Sequence, residues 1–340
     1  MFIKTLLASL ALSTAAQAVT MGTVTLPADE AGGAVTVFYP TAEPPKPVRR
    51  GPFTFQLAED AAPQPGNGRL IVISHGSGGS PWVNAEVSQA LVDAGFVVAL
   101  PRHRGDTSGD AGHPGPDSWK QRPAEMSRAI DRVAADRRFA GLKLDRVGAY
   151  GMSAGGHTAL SLAGGAWSPD RFRAHCEQHM AADFPACVGL ATKLTGGWLD
   201  GFKQWVAQRV LNSRFRDATP QTHHDPRIAA VIAGVPAAAD FDPASLAQPR
   251  VPLGLITVGQ DRWLPARFHS DTILAACTTC ERVAELPTAG HGALLAPPPP
   301  PGVLDPLECA LICDPAGFDR AAVTPQWVVP TVAFFKRHLL

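Results

Sequence analysis

Short runs of β-branched and apolar residues alternate along this chain with longer stretches whose apolar positions recur at helical spacing. That alternation predicts a mostly parallel sheet covered by helices, an α/β fold. The first two strands are expected at Thr20–Leu26 and Ala34–Tyr39, as an antiparallel start, followed by a polar, Pro-rich loop from Thr41 to Gly68. Leu70–Ser74 (LIVIS) reads as a buried strand, Val83–Ala94 as its helix, and Phe96–Leu100 as the next strand. Pro123–Phe139 has apolar residues at Ala124, Met126, Ile130 and Val133 and predicts a helix. Arg146–Tyr150 is a strand and Ala154–Ala163 a helix directly after it. From Gly164 to Pro226 the alternation breaks down, and Trp167, Trp198 and Trp205 fall there among polar residues. That stretch, 164–226, is read as an insertion over the sheet, a lid or cap. Strands resume at Arg227–Gly234, Pro252–Val258 and Arg282–Leu286. The proline run Pro297–Pro301 must be extended loop, and a helix over Pro330–His338 closes the chain.

The N-terminus adds a destination. Lys4, the apolar run Thr5–Leu12 and the small-x-small triplet Ala16-Gln17-Ala18 have the layout of an export signal over residues 1–18, with the mature chain starting near Val19. The apolar run is shorter than the ~20 residues of a membrane span. No cysteine follows it closely enough for a lipid anchor, so no membrane anchor is expected. A buried N-terminal helix is the other reading of this segment. Residues 19–340, a single domain carrying the insertion, are 45% apolar over the whole sequence, enough for a sizeable core. Equal numbers of basic and acidic residues give no field for nucleic acid. Six cysteines fall into three local pairs, Cys176 with Cys187, Cys277 with Cys280 and Cys309 with Cys313. In an oxidising compartment these are most simply three disulfides. Cys277-x-x-Cys280 could instead be a redox motif, or half of a zinc site completed by Cys309 and Cys313.

The chemistry centres on Gly151-Met152-Ser153-Ala154-Gly155, between the strand RVGAY and a helix. A serine between such glycines sits on a tight strand-to-helix turn with its hydroxyl projecting above the sheet, facing a helix N-terminus. Directly after LIVIS comes His75-Gly76-Ser77-Gly78-Gly79, whose small residues let backbone amides approach a substrate carbonyl. The amides of Ser77 and Ala154 are the expected oxyanion hole. A serine nucleophile needs a base and an orienting acid. His291, in Ala289-Gly290-His291-Gly292, and Asp261, in Val258-Gly259-Gln260-Asp261, follow late strands in the required chain order. Asp240, after the preceding strand, is the alternative acid. His157 is expected to pack under the turn and His75 to be structural. His103 and Asp106 could line a pocket, with His113 further along the same loop, and His175, His179, His223 and His224 read as surface residues. No metal or organic cofactor is required by this scheme.

The set HGSGG, GMSAG, VGQD and AGHG, in that order, resembles the dienelactone hydrolase-like branch of the α/β hydrolases. It is especially similar to the bacterial members related to platelet-activating-factor acetylhydrolase, and Arg102-His103-Arg104-Gly105-Asp106 adds to the likeness. The resemblance spans roughly Gly22 to Leu340 and is weakest across the insertion. It implies an α/β-hydrolase fold, a Ser153–Asp261–His291 triad, an oxyanion hole of the Ser77 and Ala154 amides, and a compact carboxylic ester as the small-molecule substrate. Dienelactone hydrolases carry a cysteine nucleophile where this chain has Ser153, so dienelactone itself is not the expected substrate. A peptidase or amidase would use the same machinery, and a binding protein could keep the fold without the chemistry.

Overall fold

A computed structural model describes residues 19–30, 32–300 and 302–340. The expected export signal, residues 1–18, lies outside the described residues. Among the described residues ten strands form one sheet: β1 Thr20–Leu26, β2 Val35–Thr41, β3 Lys46–Arg50, β4 Phe53–Glu59, β5 Leu70–Ser74, β6 Val97–Pro101, β7 Val147–Met152, β8 Ile228–Gly234, β9 Leu253–Val258 and β10 Glu281–Leu286. Their spatial order is β10-β9-β8-β7-β5-β6-β2-β1-β4-β3. The six strands from β10 to β6 run parallel, and β2 joins β6 and β1 antiparallel.

The central strands are continuous apolar runs because both of their faces are covered. Ile71, Ile73, Tyr150, Ile232 and Ile256 pack on one side, under α1 (Ala85–Asp93) and the terminal helix. Leu70, Val72, Ala149, Val231 and Leu255 pack on the other, under α2 (Pro116–Ala135) and α3 (Ala154–Leu162). After α3 the chain forms α4 (Pro169–His179), α5 (Phe184–Val188) and α6 (Asp200–Arg214) before entering β8. These three helices enclose a small core of their own, around Phe172, Met180, Phe184 and Leu211. The chain ends with α7 (Ser270–Ala276), α8 (Pro306–Ile312) and α9 (Arg320–Leu339).

Three elements differ from the sequence expectation. The stretch 41–68 is not all loop: β3 and β4 form a hairpin that extends the sheet. Its outer strand carries Lys46, Pro47, Arg49 and Arg50, residues that blunt a sheet edge and mask the strand pattern. Helix α2 starts seven residues before Pro123, at Pro116, so Pro123 lies inside it. Helix α9 likewise runs from Arg320, capped by the Asp319 carboxylate accepting from the Ala322 amide, with Pro325 and Pro330 inside.

Candidate active site

Strand β5 has β6 on one side and β7 on the other, so the chain leaves it in one direction and returns on the opposite flank. At such a switch point the loops beyond the carboxyl ends of the two central strands diverge and leave a crevice. The HGSGG loop follows β5 and the GMSAG turn follows β7, so the topology brings them together there. Ser153 occupies the turn with φ +59° and ψ −119°, a left-handed conformation that a residue with a Cβ adopts at a cost of about 1–3 kcal/mol. The surroundings enforce it. A Cβ on Gly151 would stand 1.9 Å from the Gly155 carbonyl oxygen, and one on Gly155 would stand 2.0 Å from the Ser74 carbonyl oxygen. Strand, turn and helix therefore pack backbone to backbone, and only glycine fits. The Ser153 amide donates to Gly234 on β8 at 3.0 Å, and its carbonyl accepts from Ala237 at 3.2 Å.

His291 opens the short 3-10 turn His291–Leu294 after β10, and Asp261 lies just beyond β9. The two loops are tied by the Gln260 amide donating to the Ala289 carbonyl at 2.9 Å. Asp261 Oδ1 accepts from the Trp263 and Leu264 amides, both at 2.8 Å, and its Oδ2 lies 2.7 Å from His291 Nδ1. Burial raises the Asp261 pKa, but the adjacent His291 and the two amides outweigh it and hold the carboxyl below its usual range. An ionised Asp261 only accepts, so Nδ1 of His291 carries the proton and Nε2 is left as an acceptor. Ser153 Oγ lies 3.0 Å from that Nε2 and donates to it. The three residues expected from the sequence are thus within one hydrogen-bonded chain, with His291 and Asp261 buried and Ser153 half-exposed.

The HGSGG backbone passes directly over Ser153. A Cβ on Gly76 would lie 3.5 Å from the Ser153 Cβ. Among the described residues, the Ser77 and Ala154 amides have no acceptor. The loop is held from behind by Asp106, whose Oδ1 accepts from Ser77 Oγ at 2.5 Å and from the Gly78 amide at 3.0 Å. Asp106 Oδ2 in turn meets the Arg122 guanidinium at 2.8 Å, and both side chains are fully buried. Arg122 also donates to the His75 carbonyl at 2.5 Å and to Ser118 Oγ at 2.8 Å. Beside it, His103 bridges Ser74 Oγ (2.8 Å) and Glu125 (2.6 Å). Burial, then the nearby charge of Arg122, pushes the His103 pKa well down. Burial, then His103 and Arg122, does the same to His75.

Asp106 and His103 are therefore supports of the loop rather than pocket walls, and His113 is exposed. Asp240 accepts from His157 Nε2 at 2.9 Å beneath the turn, where the His157 ring packs among Trp119, Trp167 and Phe241, and Asp240 is thus engaged away from His291. His175 is not a free surface residue: its Nε2 bonds the buried Asp183 at 2.7 Å. Arg122 and Glu125 were not singled out from the sequence. A signal existed, since Arg122 stands four residues before Met126 in line with the buried stripe of α2, an unusual place for a charge. The cysteines are bonded as Cys176–Cys187, Cys277–Cys280 and Cys309–Cys313, which leaves none of them free to ligate zinc.

No family model matches the chain, and no curated protein matches it. Among solved structures it is similar to a ferulic acid esterase from Streptomyces cinnamoneus, with a TM-score of 0.61 and 17% identity over 96% of this chain and 91% of the esterase. At that identity the likeness concerns architecture, and together with the sheet order and the strand-turn-helix at Ser153 it gives the chain the α/β-hydrolase fold.

Proposed function

We propose that the protein is an exported serine hydrolase that cleaves carboxylic esters through an acyl-enzyme on Ser153. One observation carries the reading: Ser153 Oγ, His291 Nε2, His291 Nδ1 and Asp261 Oδ2 are in hydrogen-bonded sequence at 3.0 and 2.7 Å. In this scheme His291 takes the Ser153 proton as Oγ attacks the ester carbonyl. The tetrahedral oxyanion accepts from the Ser77 and Ala154 amides. Collapse releases the alcohol, which receives the proton from His291. Water, activated by the same imidazole, then frees the acid. Asp261 stabilises the imidazolium without taking its proton. The motif resemblance to the dienelactone hydrolase-like branch supports a compact ester, and the activity named for the structural neighbour supports an ester rather than an amide. Three disulfides support an oxidising compartment, consistent with cleavage of the N-terminal segment near Ala18.

Hydrolysis of p-nitrophenyl acetate, butyrate and octanoate, and of methyl ferulate, by the mature chain beside Ser153→Ala tests the proposal. Loss of at least ~10³-fold in kcat in the variant is expected. Equal rates in the two proteins would remove Ser153 from the mechanism. Turnover of a matched anilide but of no ester would assign the site to an amidase.

A further inference from the structure

Helix α6 carries two apolar stripes, and only one of them is covered. Ala207 and Leu211, with Phe215 just past the helix end, face α4 and α5: Leu211 is 3% exposed, and the Phe215 ring lies 5.5 Å from that of Phe172. On a helix of 3.6 residues per turn, the opposite side is that of Phe202, Trp205, Val206 and Val210, continued by Trp198 and Leu199 in the turn before it. Those six are exposed, Trp198 at 90% and Phe202 at 62%. A helix packed on a domain normally turns polar residues outward. Here the outward side is the more hydrophobic one, and Phe202 and Trp205 stack on each other at 5.9 Å in the open.

The charges around this face are predominantly positive. From Gly189 to Arg216 the chain carries Lys193, Lys203, Arg209, Arg214 and Arg216 against a single acid, Asp200. Asp200 is already consumed by Lys203 and by the Thr195 and Gly196 amides. Arg209 lies on the apolar face itself, its guanidinium 5.4 Å from the Trp205 ring centre. Tryptophan and phenylalanine interleaved with cations, of which Lys203 alone is ion-paired among the described residues, is the composition that seats a helix in the headgroup layer of a bilayer. Self-association fits poorly, because a two-fold contact would set this cationic face against itself.

We propose that the outward face of α6 docks the protein on an anionic lipid surface. Trp198, Phe202 and Trp205 enter the interface, and the surrounding cations meet acidic headgroups. The docking is peripheral, since no described helix is long and apolar enough to cross a membrane. The segment that carries the face stands at the carboxyl end of the sheet. Asp183, between α4 and α5, meets His269 beyond β9, and His269 Nδ1 accepts from the Ala238 amide in the loop that also bonds Ser153.

The test is co-sedimentation of the full mature chain with vesicles of phosphatidylcholine alone and of phosphatidylcholine mixed with phosphatidylglycerol, with tryptophan emission recorded in parallel. Binding to the mixed vesicles is expected, weakened by added salt and accompanied by a blue shift. The triple variant Trp198→Ser/Phe202→Ser/Trp205→Ser should lose it, by about tenfold in partitioning for each aromatic removed. Arg209→Gln/Arg214→Gln, which removes two cations while keeping every apolar side chain of the face, should lose the dependence on phosphatidylglycerol. Absence of wild-type binding to the mixed vesicles, or binding equal in wild type and both variants, overturns the proposal. So does a dimer by light scattering that the triple variant abolishes without any vesicle binding, or retention on immobilised polyglutamate alone. Turnover of p-nitrophenyl butyrate in vesicle-free buffer should be the same for the triple variant and the wild type. If neither turns over, the ester assignment fails while the vesicle result is still read.

Discussion

Replacing Arg122 by methionine removes one half of a fully buried ion pair and leaves the other half in place. The Arg122 guanidinium lies 2.8 Å from Asp106 Oδ2, and neither side chain is exposed to solvent. In the variant the Asp106 carboxylate keeps its bonds to Ser77 Oγ and the Gly78 amide but loses its countercharge. The His75 carbonyl also loses its donor. Breaking a buried pair from one side costs about 3–5 kcal/mol, a large part of the roughly 5–15 kcal/mol that holds a domain folded. With a urea m-value of about 3 kcal/mol/M, the midpoint should fall by roughly 1–2 M. The consequence reaches the proposed chemistry, because Asp106 is what fixes the Ser77 backbone over Ser153. A loop free to shift by about 1 Å costs on the order of 10- to 100-fold in kcat, with less change in KM, since its amide acts on the oxyanion and not on the ground-state ester. Adding Asp106→Asn to Arg122→Met removes the stranded charge and should recover part of the stability. Urea titration followed by tryptophan fluorescence, with ester kinetics on the same samples, decides the matter. A loss below about 1 kcal/mol in Arg122→Met, or a double variant no more stable than the single one, would show that the pair does not hold this loop.

The geometry makes two other demands. Asp261→Asn keeps the shape of the site but no longer fixes the proton on His291 Nδ1, so kcat on p-nitrophenyl butyrate should drop by about 10²–10⁴-fold while the fold is retained by circular dichroism; a variant as fast as wild type would give the acid role to another residue. His75 and His103 are held neutral in the folded state, well below the ordinary histidine pKa, so unfolded chains take up protons near pH 6.5 that folded ones do not. Their contribution is therefore complete above about pH 6.5 and is lost as the pH falls, by up to ~1.4 kcal/mol per pH unit for each histidine; urea midpoints between pH 7.5 and 5 measure it, and a flat profile, or an unchanged slope in His75→Gln, would contradict it.

What was legible in the sequence follows from how local each cause is. Strands β5 and β7 read plainly because both of their faces are buried, so every position is apolar or small. The GMSAG turn and the His291 and Asp261 loops read plainly because a tight strand-to-helix turn needs its glycines within five residues, and the two loops directly follow the late strands β10 and β9. The β3–β4 hairpin did not, because its outer strand has only Val48 buried and spends its other positions on charges and a proline that protect the edge. Pro123 and Pro330 misled for a related reason: a proline usually marks a first turn, yet here tertiary packing offsets the lost hydrogen bond in mid-helix. The Arg122–Asp106 pair joins residues on different elements, and nothing local to either names the other. Helix α6 is the sharpest case. Its two apolar stripes lie on opposite sides, and by hydrophobicity alone the Phe202–Trp205 side should be the buried one. The fold buries Leu211 and half-buries Ala207 instead, because that narrower stripe fits against α4 and α5. Which face of an amphipathic segment turns inward is decided by the shape of what it meets, and that shape is written in residues far along the chain.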